Sequence, residues 1–287
     1  MTERKARVLV FDSGVGGLSV AQCIHGALPD LDLVYLADNA GFPYGNKPET
    51  VVTERCCLLI LAAAEAFACD VIVVACNTAS TVALPALRAR TSTPVVGVVP
   101  AVKPAAAVSA NRRIGILATP ATVRRPYLDE LVRDFAGDCK VIRVGHPDLV
   151  NWAERCVAGE LPDQQAMDAA VLPLAEAGVD TVVLGCTHYP LLRHWLERSL
   201  PAVRFWVDSG QAIARRVAFL LHQTVSDHNP DSVRGITPSS PTVVSMALFS
   251  GPAPDGIAAY MAALGLPVAR VLSNWNGDEA ATVTGSV

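Results

Sequence analysis

The chain has 287 residues, 51% of them hydrophobic, with 23 Lys and Arg against 27 Asp and Glu for a formal net charge of −4. That is enough for two domains or one large one with a sizeable core, and the absence of a strong basic run argues against a nucleic-acid partner. No apolar segment reaches the roughly 18 residues of a membrane span, and the Val8–Phe11 run is too short for a signal-peptide core, so the expected setting is the cytoplasm without a membrane partner.

In chain order, short β-rich apolar runs predict strands at 7–11, 32–37, 70–75, 95–98, 113–117, 140–144, 180–185, 203–207, 242–249 and 268–272. Helical periodicity falls between them at 17–27, 48–67, 79–90, 121–136, 148–158, 164–177, 189–199 and 209–222. The alternation predicts an α/β chain whose mostly parallel sheets are flanked by helices. The pattern restarts near residue 112, where Arg112-Arg113-Ile114-Gly115-Ile116-Leu117-Ala118-Thr119 resembles Arg7-Val8-Leu9-Val10-Phe11-Asp12-Ser13. Two pseudo-symmetric domains are therefore expected, one discontinuous over 1–97 plus 209–273 and the other over 98–208, with the active site at their interface. Polar residues 223–241 predict a loop, and 274–287 a loose tail.

Two cysteines stand in matched settings. Asp70 opens one apolar run and Cys76 follows six positions later; Asp180 opens another and Cys186 follows six positions later. Each Cys should sit at the carboxyl end of a buried parallel strand, where open α/β sheets place ligands. The chain has eight cysteines but no Cys-x-x-Cys and no His at zinc-site spacing, so reduced thiols and no metal are expected. The other six read as small buried hydrophobes. Cys76-Asn77-Thr78 and Cys186-Thr187-His188 differ, because polar residues follow each thiol and each begins a helix, whose N-terminus favours a thiolate.

Two further loops complete the candidate site. Phe11-Asp12-Ser13-Gly14-Val15-Gly16-Gly17-Leu18-Ser19 ends the first strand, and its glycines let a ligand approach the backbone ahead of a helix N-terminus. A dinucleotide fingerprint is the rival reading, with Asp38 as its acidic residue, but Ser19 stands at the third Gly position. Ala37-Asp38-Asn39-Ala40-Gly41-Phe42-Pro43-Tyr44-Gly45 reads either as a structural turn or as a loop closing Tyr44 and Gly45 over a small ligand.

Asp12-Ser13-Gly14-Val15-Gly16-Gly17, Pro43-Tyr44-Gly45, Cys76-Asn77-Thr78-Ala79-Ser80 and Gly185-Cys186-Thr187-His188-Tyr189-Pro190 occur in that order. Over roughly residues 7–222 the chain resembles the glutamate racemases of the aspartate/glutamate racemase family. Leu248-Phe249-Ser250-Gly251 followed by a helix is loosely similar to the family's last strand and helix. Aspartate racemases share the two-cysteine plan but usually carry Glu after the second Cys-Thr, so Thr187-His188 favours glutamate.

The resemblance implies a cofactor-independent interconversion of L- and D-glutamate that supplies D-glutamate for peptidoglycan. It assigns Cys76 to the α-proton of D-glutamate and Cys186 to that of L-glutamate, with Asp12 assisting Cys76 and His188 assisting Cys186. Asp12, Ser13, Tyr44, Gly45, Asn77, Thr78, Thr187 and His188 would bind substrate, and Glu154 would be a further acidic residue. The chain departs from the family near Glu154, carrying His146-Pro147 where many members have Cys-Pro. A homodimer is left open. Two other functions stay open on the residues themselves: a thiol hydrolase with Cys186 as nucleophile and His188 as base, and a non-catalytic binding module, which has no need of two thiols.

Overall fold

A computed structural model describes residues 4–226 and 243–277. Most of the expected 223–241 loop, residue 242 of an expected strand and residues 278–287 of the expected tail lie outside the described residues. The chain divides into two compact units, Met1–Gly97 with Gly210–Val287, and Val98–Ser209.

The first segment runs β1 (Arg7–Asp12), α1 (Leu18–Ala27), β2 (Asp32–Ala37), α2 (Glu49–Ala66), β3 (Val71–Val74), α3 (Asn77–Arg88) and β4 (Val95–Gly97). The middle segment runs α4 (Val102–Val108), β5 (Arg113–Ala118), α5 (Pro120–Val123), α6 (Pro126–Phe135), β6 (Lys140–Gly145), α7 (Asp148–Arg155), α8 (Gln164–Glu176), β7 (Thr181–Leu184), α9 (Arg193–Ser199) and β8 (Phe205–Val207). The last segment adds α10 (Gly210–Ser226), β9 (Val244–Phe249), α11 (Ile257–Ala263) and β10 (Val271–Leu272).

Each unit holds one sheet, and every pairing in both is parallel. The first has the order β10-β9-β2-β1-β3-β4 and the second β6-β5-β7-β8. The second order repeats the β2-β1-β3-β4 part of the first, element for element. Val71-Ile72-Val73-Val74 and Val182-Val183 are wholly buried, as branched residues are when helices cover both faces of a parallel sheet. The register repeats as well. Phe11 pairs with Val74 at the end of the β1–β3 ladder, and Leu117 pairs with Leu184 at the end of β5–β7. One residue on, Ala75 N donates to Phe11 O and Gly185 N donates to Leu117 O, both at 2.8 Å. Cys76 and Cys186 are the next residues, so the two thiols leave their sheets at equivalent backbone positions.

The two Asp residues that open these strands do structural work at the opposite end of each sheet. Asp70 accepts from Arg7 N at 2.7 Å and from Arg4 Nη2 at 2.7 Å. Asp180 accepts from Ser109 Oγ, Ala110 N, Asn111 N and Thr181 Oγ1 at 2.7–2.8 Å. Both carboxylates fasten the chain that leads into the neighbouring strand.

Several helices differ from the periodicity: α11 lies outside the expected ranges, and the expected 148–158 helix ends as a 3₁₀ turn over Cys156–Ala158. The expected helix 121–136 is two, α5 and α6, because Pro126 forces Arg125 into an extended conformation (φ −77°, ψ 133°). The expected 189–199 helix opens as a 3₁₀ turn over Tyr189–Leu192 before α9 begins. Helix α4 lies outside the expected ranges; its Pro104 falls in the first turn, where a missing N–H removes no intrahelical bond.

Candidate active site

In the first unit, β1 delivers Asp12 and Ser13 to a glycine turn. Asp12 is fully buried, and its Oδ1 accepts from Gly14 N at 3.0 Å. The Tyr35 hydroxyl donates to Gly14 O at 2.5 Å. Gly17, just ahead of α1, is required by contact: a Cβ there would lie 2.8 Å from Asp12 Cβ. The turn thus fixes Ser13, whose Oγ lies 3.7 Å from Cys76 Sγ. Cys76 is the N-cap residue of α3, and its carbonyl accepts from Ser80 N at 2.8 Å. The positive end of the α3 dipole favours negative charge at this position. Asn77 and Thr78 form the first turn of α3 and are half-buried.

Tyr44 and Gly45 begin a 3₁₀ turn after Phe42-Pro43. Tyr44 is buried in the same apolar cluster as Cys56 and Cys76, and its hydroxyl donates to Asp38 Oδ2 at 2.5 Å. Burial, with the Asp38 carboxylate nearby, pushes the phenol far above its ordinary pKa, so it serves as a donor. Asp38 also accepts from Arg55 Nε and Nη2 at 2.7 and 2.6 Å and from Ser250 Oγ at 2.5 Å. Burial opposes the Asp38 charge, but Arg55, Ser250 and Tyr44 outweigh it and hold the carboxyl below its ordinary range. The acid that a dinucleotide site would direct at a ribose is therefore committed to its own chain.

In the second unit the equivalent thiol has different company. Cys186 precedes a turn closed by Tyr189 N to Cys186 O at 3.1 Å, and the 3₁₀ turn follows, so it lacks the α-helical start expected for Cys186-Thr187-His188. Thr187 is buried beside it. His188 Nδ1 lies 3.7 Å from Cys186 Sγ, and Nε2 lies 2.6 Å from Glu154 Oε1 on α7. The departure at His146-Pro147 leaves α7 intact: Asp148 N donates to His146 Nδ1 at 3.3 Å as the helix begins. Burial works against an imidazolium at His188, yet Cys186 and Glu154 outweigh it and place the ring well above the ordinary histidine value.

Among the described residues no group of three or more His, Cys, Asp and Glu could hold a metal ion, and no helix is long and apolar enough to cross a membrane. The model of the Asp/Glu/Hydantoin racemase family matches residues 18–217. The chain belongs to this racemase family. It is 49% identical over 228 residues to a glutamate racemase of Salmonella typhimurium, covering 79% of this chain and 81% of that one. It is 50% identical over 220 residues to one from a Shewanella species, covering 77% and 81%. The crystal structure of Escherichia coli glutamate racemase, in complex with L-glutamate and the activator UDP-MurNAc-Ala, superposes with a TM-score of 0.82 at 41% identity, covering 94% of this chain and 99% of that one. Sequence and fold alike place the chain among the glutamate racemases, which are isomerases.

Racemisation removes an α-proton and returns one to the opposite face of the carbon. The first unit offers a thiol at a helix N-terminus with a hydroxyl 3.7 Å away. The second offers a thiol joined through an imidazole to a carboxylate, a chain able to hold a proton and pass it on. Arg55, Cys56 and Ser250 carry no site role in the sequence pattern: Cys56 reads as a buried hydrophobe and Ser250 only as part of a strand end. Arg55 and Cys56 lie inside a helix whose pattern gives no hint of an inward-facing charge, and Ser250 lies some two hundred residues from the loop it holds. The one available signal was Asp38, an acidic residue closing an otherwise apolar strand.

Proposed function

We propose that this racemase interconverts L- and D-glutamate by a two-base mechanism in which Cys76 and Cys186 act on opposite faces of one α-carbon. The observation that carries the reading is the equivalence of the two thiols in a repeated strand order and register. With D-glutamate, the Cys76 thiolate takes the α-proton, the C–H electron pair stays on the α-carbon, and the Cys186 thiol protonates the other face. With L-glutamate the roles exchange. Each turnover ends with the proton on the other sulfur, so both groups serve as acid and base in turn. Ser13, with Asp12 behind it, supports Cys76; His188 and Glu154 support Cys186. Asn77, Thr78, Gly45 and Thr187 would bind the carboxylates and amine together with the backbone at Tyr44, without a cofactor or metal.

The same reading places the protein in the cytoplasm, feeding D-glutamate to peptidoglycan. Purified protein in D2O should racemise L-glutamate with α-deuteration, leave L-aspartate largely untouched, and retain full activity after EDTA. Expression should restore growth of a D-glutamate auxotroph. Light scattering decides between a monomer and the homodimer. The Cys186–His188–Glu154 chain also has the parts of a thiol hydrolase. An acyl-enzyme on Cys186 trapped by mass spectrometry, without racemisation, would turn the reading that way.

A further inference from the structure

The segment from Asp38 to Lys47 has little structure of its own. It consists of two 3₁₀ turns, Asn39–Gly41 and Tyr44–Asn46, closed by single bonds such as Gly41 N to Asp38 O at 2.9 Å and Lys47 N to Tyr44 O at 3.1 Å. What holds it is Asp38. This carboxylate is fully buried and gathers donors from three parts of the chain: Tyr44 within the loop, Arg55 on α2, and Ser250 just after β9. Ser250 Oγ also accepts from Ala40 N at 3.1 Å, while Asn39 is bracketed by Gly251 N at 2.8 Å and Pro252 O at 2.6 Å. A Cβ on Gly41 would run into the Asp38 carboxylate and the Arg55 guanidinium. The Cys56 thiol donates to Tyr44 Oη at 3.8 Å, in the cluster that contains Cys76. Ser250 lies beyond the residues 18–217 matched by the family model.

We infer that Asp38, Arg55 and Ser250 are positioning residues for the racemase reaction, holding the Phe42–Gly45 loop through the Tyr44 hydroxyl in the conformation that receives substrate. The inference rests on the reading that Tyr44 and Gly45 belong to the substrate site. The Tyr44 phenol is then an anchor, and the loop meets substrate with its backbone. A loop loosened from Asp38 spends only a fraction of its time competent to bind, and apparent affinity falls by that fraction. The consequence is a rise in KM with the chemical step little changed, because neither sulfur has moved.

The test compares Ser250→Ala, Ser250→Thr and Gly41→Ala with wild type, measuring kcat, KM for L- and D-glutamate, and the thermal midpoint. Ser250 is half-buried, so its alanine variant removes the hydrogen bonds to Asp38 and from Ala40 N without emptying the core. Ser250→Ala should raise KM for both enantiomers roughly tenfold, with kcat within about twofold of wild type. Ser250→Thr, which keeps the hydroxyl, should restore KM. Gly41→Ala should raise KM further. A Ser250→Ala enzyme with wild-type KM and only a lowered thermal midpoint would overturn the inference and leave the proposed function standing. A fall in kcat at unchanged KM would overturn it as well. Wild-type protein inert towards glutamate would overturn both.

Discussion

Cys76 and Cys186 leave equivalent strands at equivalent positions, yet one faces a hydroxyl at a helix N-cap and the other an imidazole backed by a carboxylate. The backbone repeats; the proton environment does not. An α-helix starting at Cys76 supplies favourable field from peptide dipoles, which carry no titrating proton. The 3₁₀ turn after Cys186 supplies less of that field, and His188 stands where it can compensate. The lesson is that a repeated fold can present two like groups at equivalent backbone positions while leaving each half free to choose the side chains around its own group.

The largest effect should come from removing either sulfur. Cys76→Ser and Cys186→Ser should each lower racemisation by on the order of 10²–10⁴-fold, because a hydroxyl is a far poorer base. L- and D-glutamate have equal free energy, so kcat/KM must stay equal in the two directions for any variant, and steady-state rates cannot reveal which face was lost. Wash-out of the α-proton into D2O can. Cys186→Ser should still exchange D-glutamate, and Cys76→Ser should still exchange L-glutamate. Equal wash-out of both enantiomers by both variants would break the face assignment, and near wild-type racemisation by either would break the two-base mechanism.

Next in size is the relay behind Cys186. Glu154→Gln removes a charged partner at 2.6 Å from His188 Nε2, and should cost roughly 10–100-fold in kcat/KM. Wash-out from L-glutamate should suffer more than wash-out from D-glutamate. The pH dependence has a definite sign. His188 has its folded pKa raised above the ordinary value near 6.5, so its contribution to stability is fully present below that value and is lost as pH rises through the folded pKa. Denaturation measured from pH 6 upward should show this decline in wild type and a flatter profile in His188→Asn. The same slope in both proteins would remove His188 from the comparison.

Much of the fold is legible in the amino-acid sequence. The restart near Arg112 and the Asp-to-Cys runs are local patterns, and the repeated strand order follows the same rhythm. What escaped the sequence is of two kinds. Local overrides, such as Pro126 splitting a helix and Pro104 being admitted to one, depend on which turn a proline falls in. Long-range polar contacts, such as Ser250 on Asp38, have no periodicity at all. Tyr44 illustrates the second kind: the motif places it in the loop, but only the fold turns its hydroxyl towards Asp38.

A smaller effect, read in stability rather than in turnover, also belongs to Asp38. Its folded pKa lies below the ordinary carboxylate value, so its contribution is present above the unfolded pKa and disappears as pH falls through the folded one. Asp38→Asn should flatten the acid limb of the stability profile below about pH 4. The second unit has no equivalent carboxylate at the end of β6, where the chain reads Gly145-His146. Acid sensitivity at this position should therefore belong to the first unit alone, and hydrogen exchange at low pH can locate it.

The smallest effect separates the two strand-opening aspartates, which the sequence presents as twins. Asp180 is buried and accepts from four groups, two of them backbone N–H groups sharing Oδ2. Replacing it by Asn sets an amide group or a weaker acceptor against those donors, and should cost about 2–3 kcal/mol. Asp70 has a side chain 29% exposed and a partner, Arg4, that is 51% exposed. Water can replace much of what Asn loses there, so Asp70→Asn should cost only about 1 kcal/mol. Urea denaturation of the two variants measures the difference, with racemisation as a control, since both residues lie at the strand ends opposite the thiols. Equal losses would mean that the halves are as alike at the base of their sheets as they are in register, and that their divergence is confined to the thiol ends.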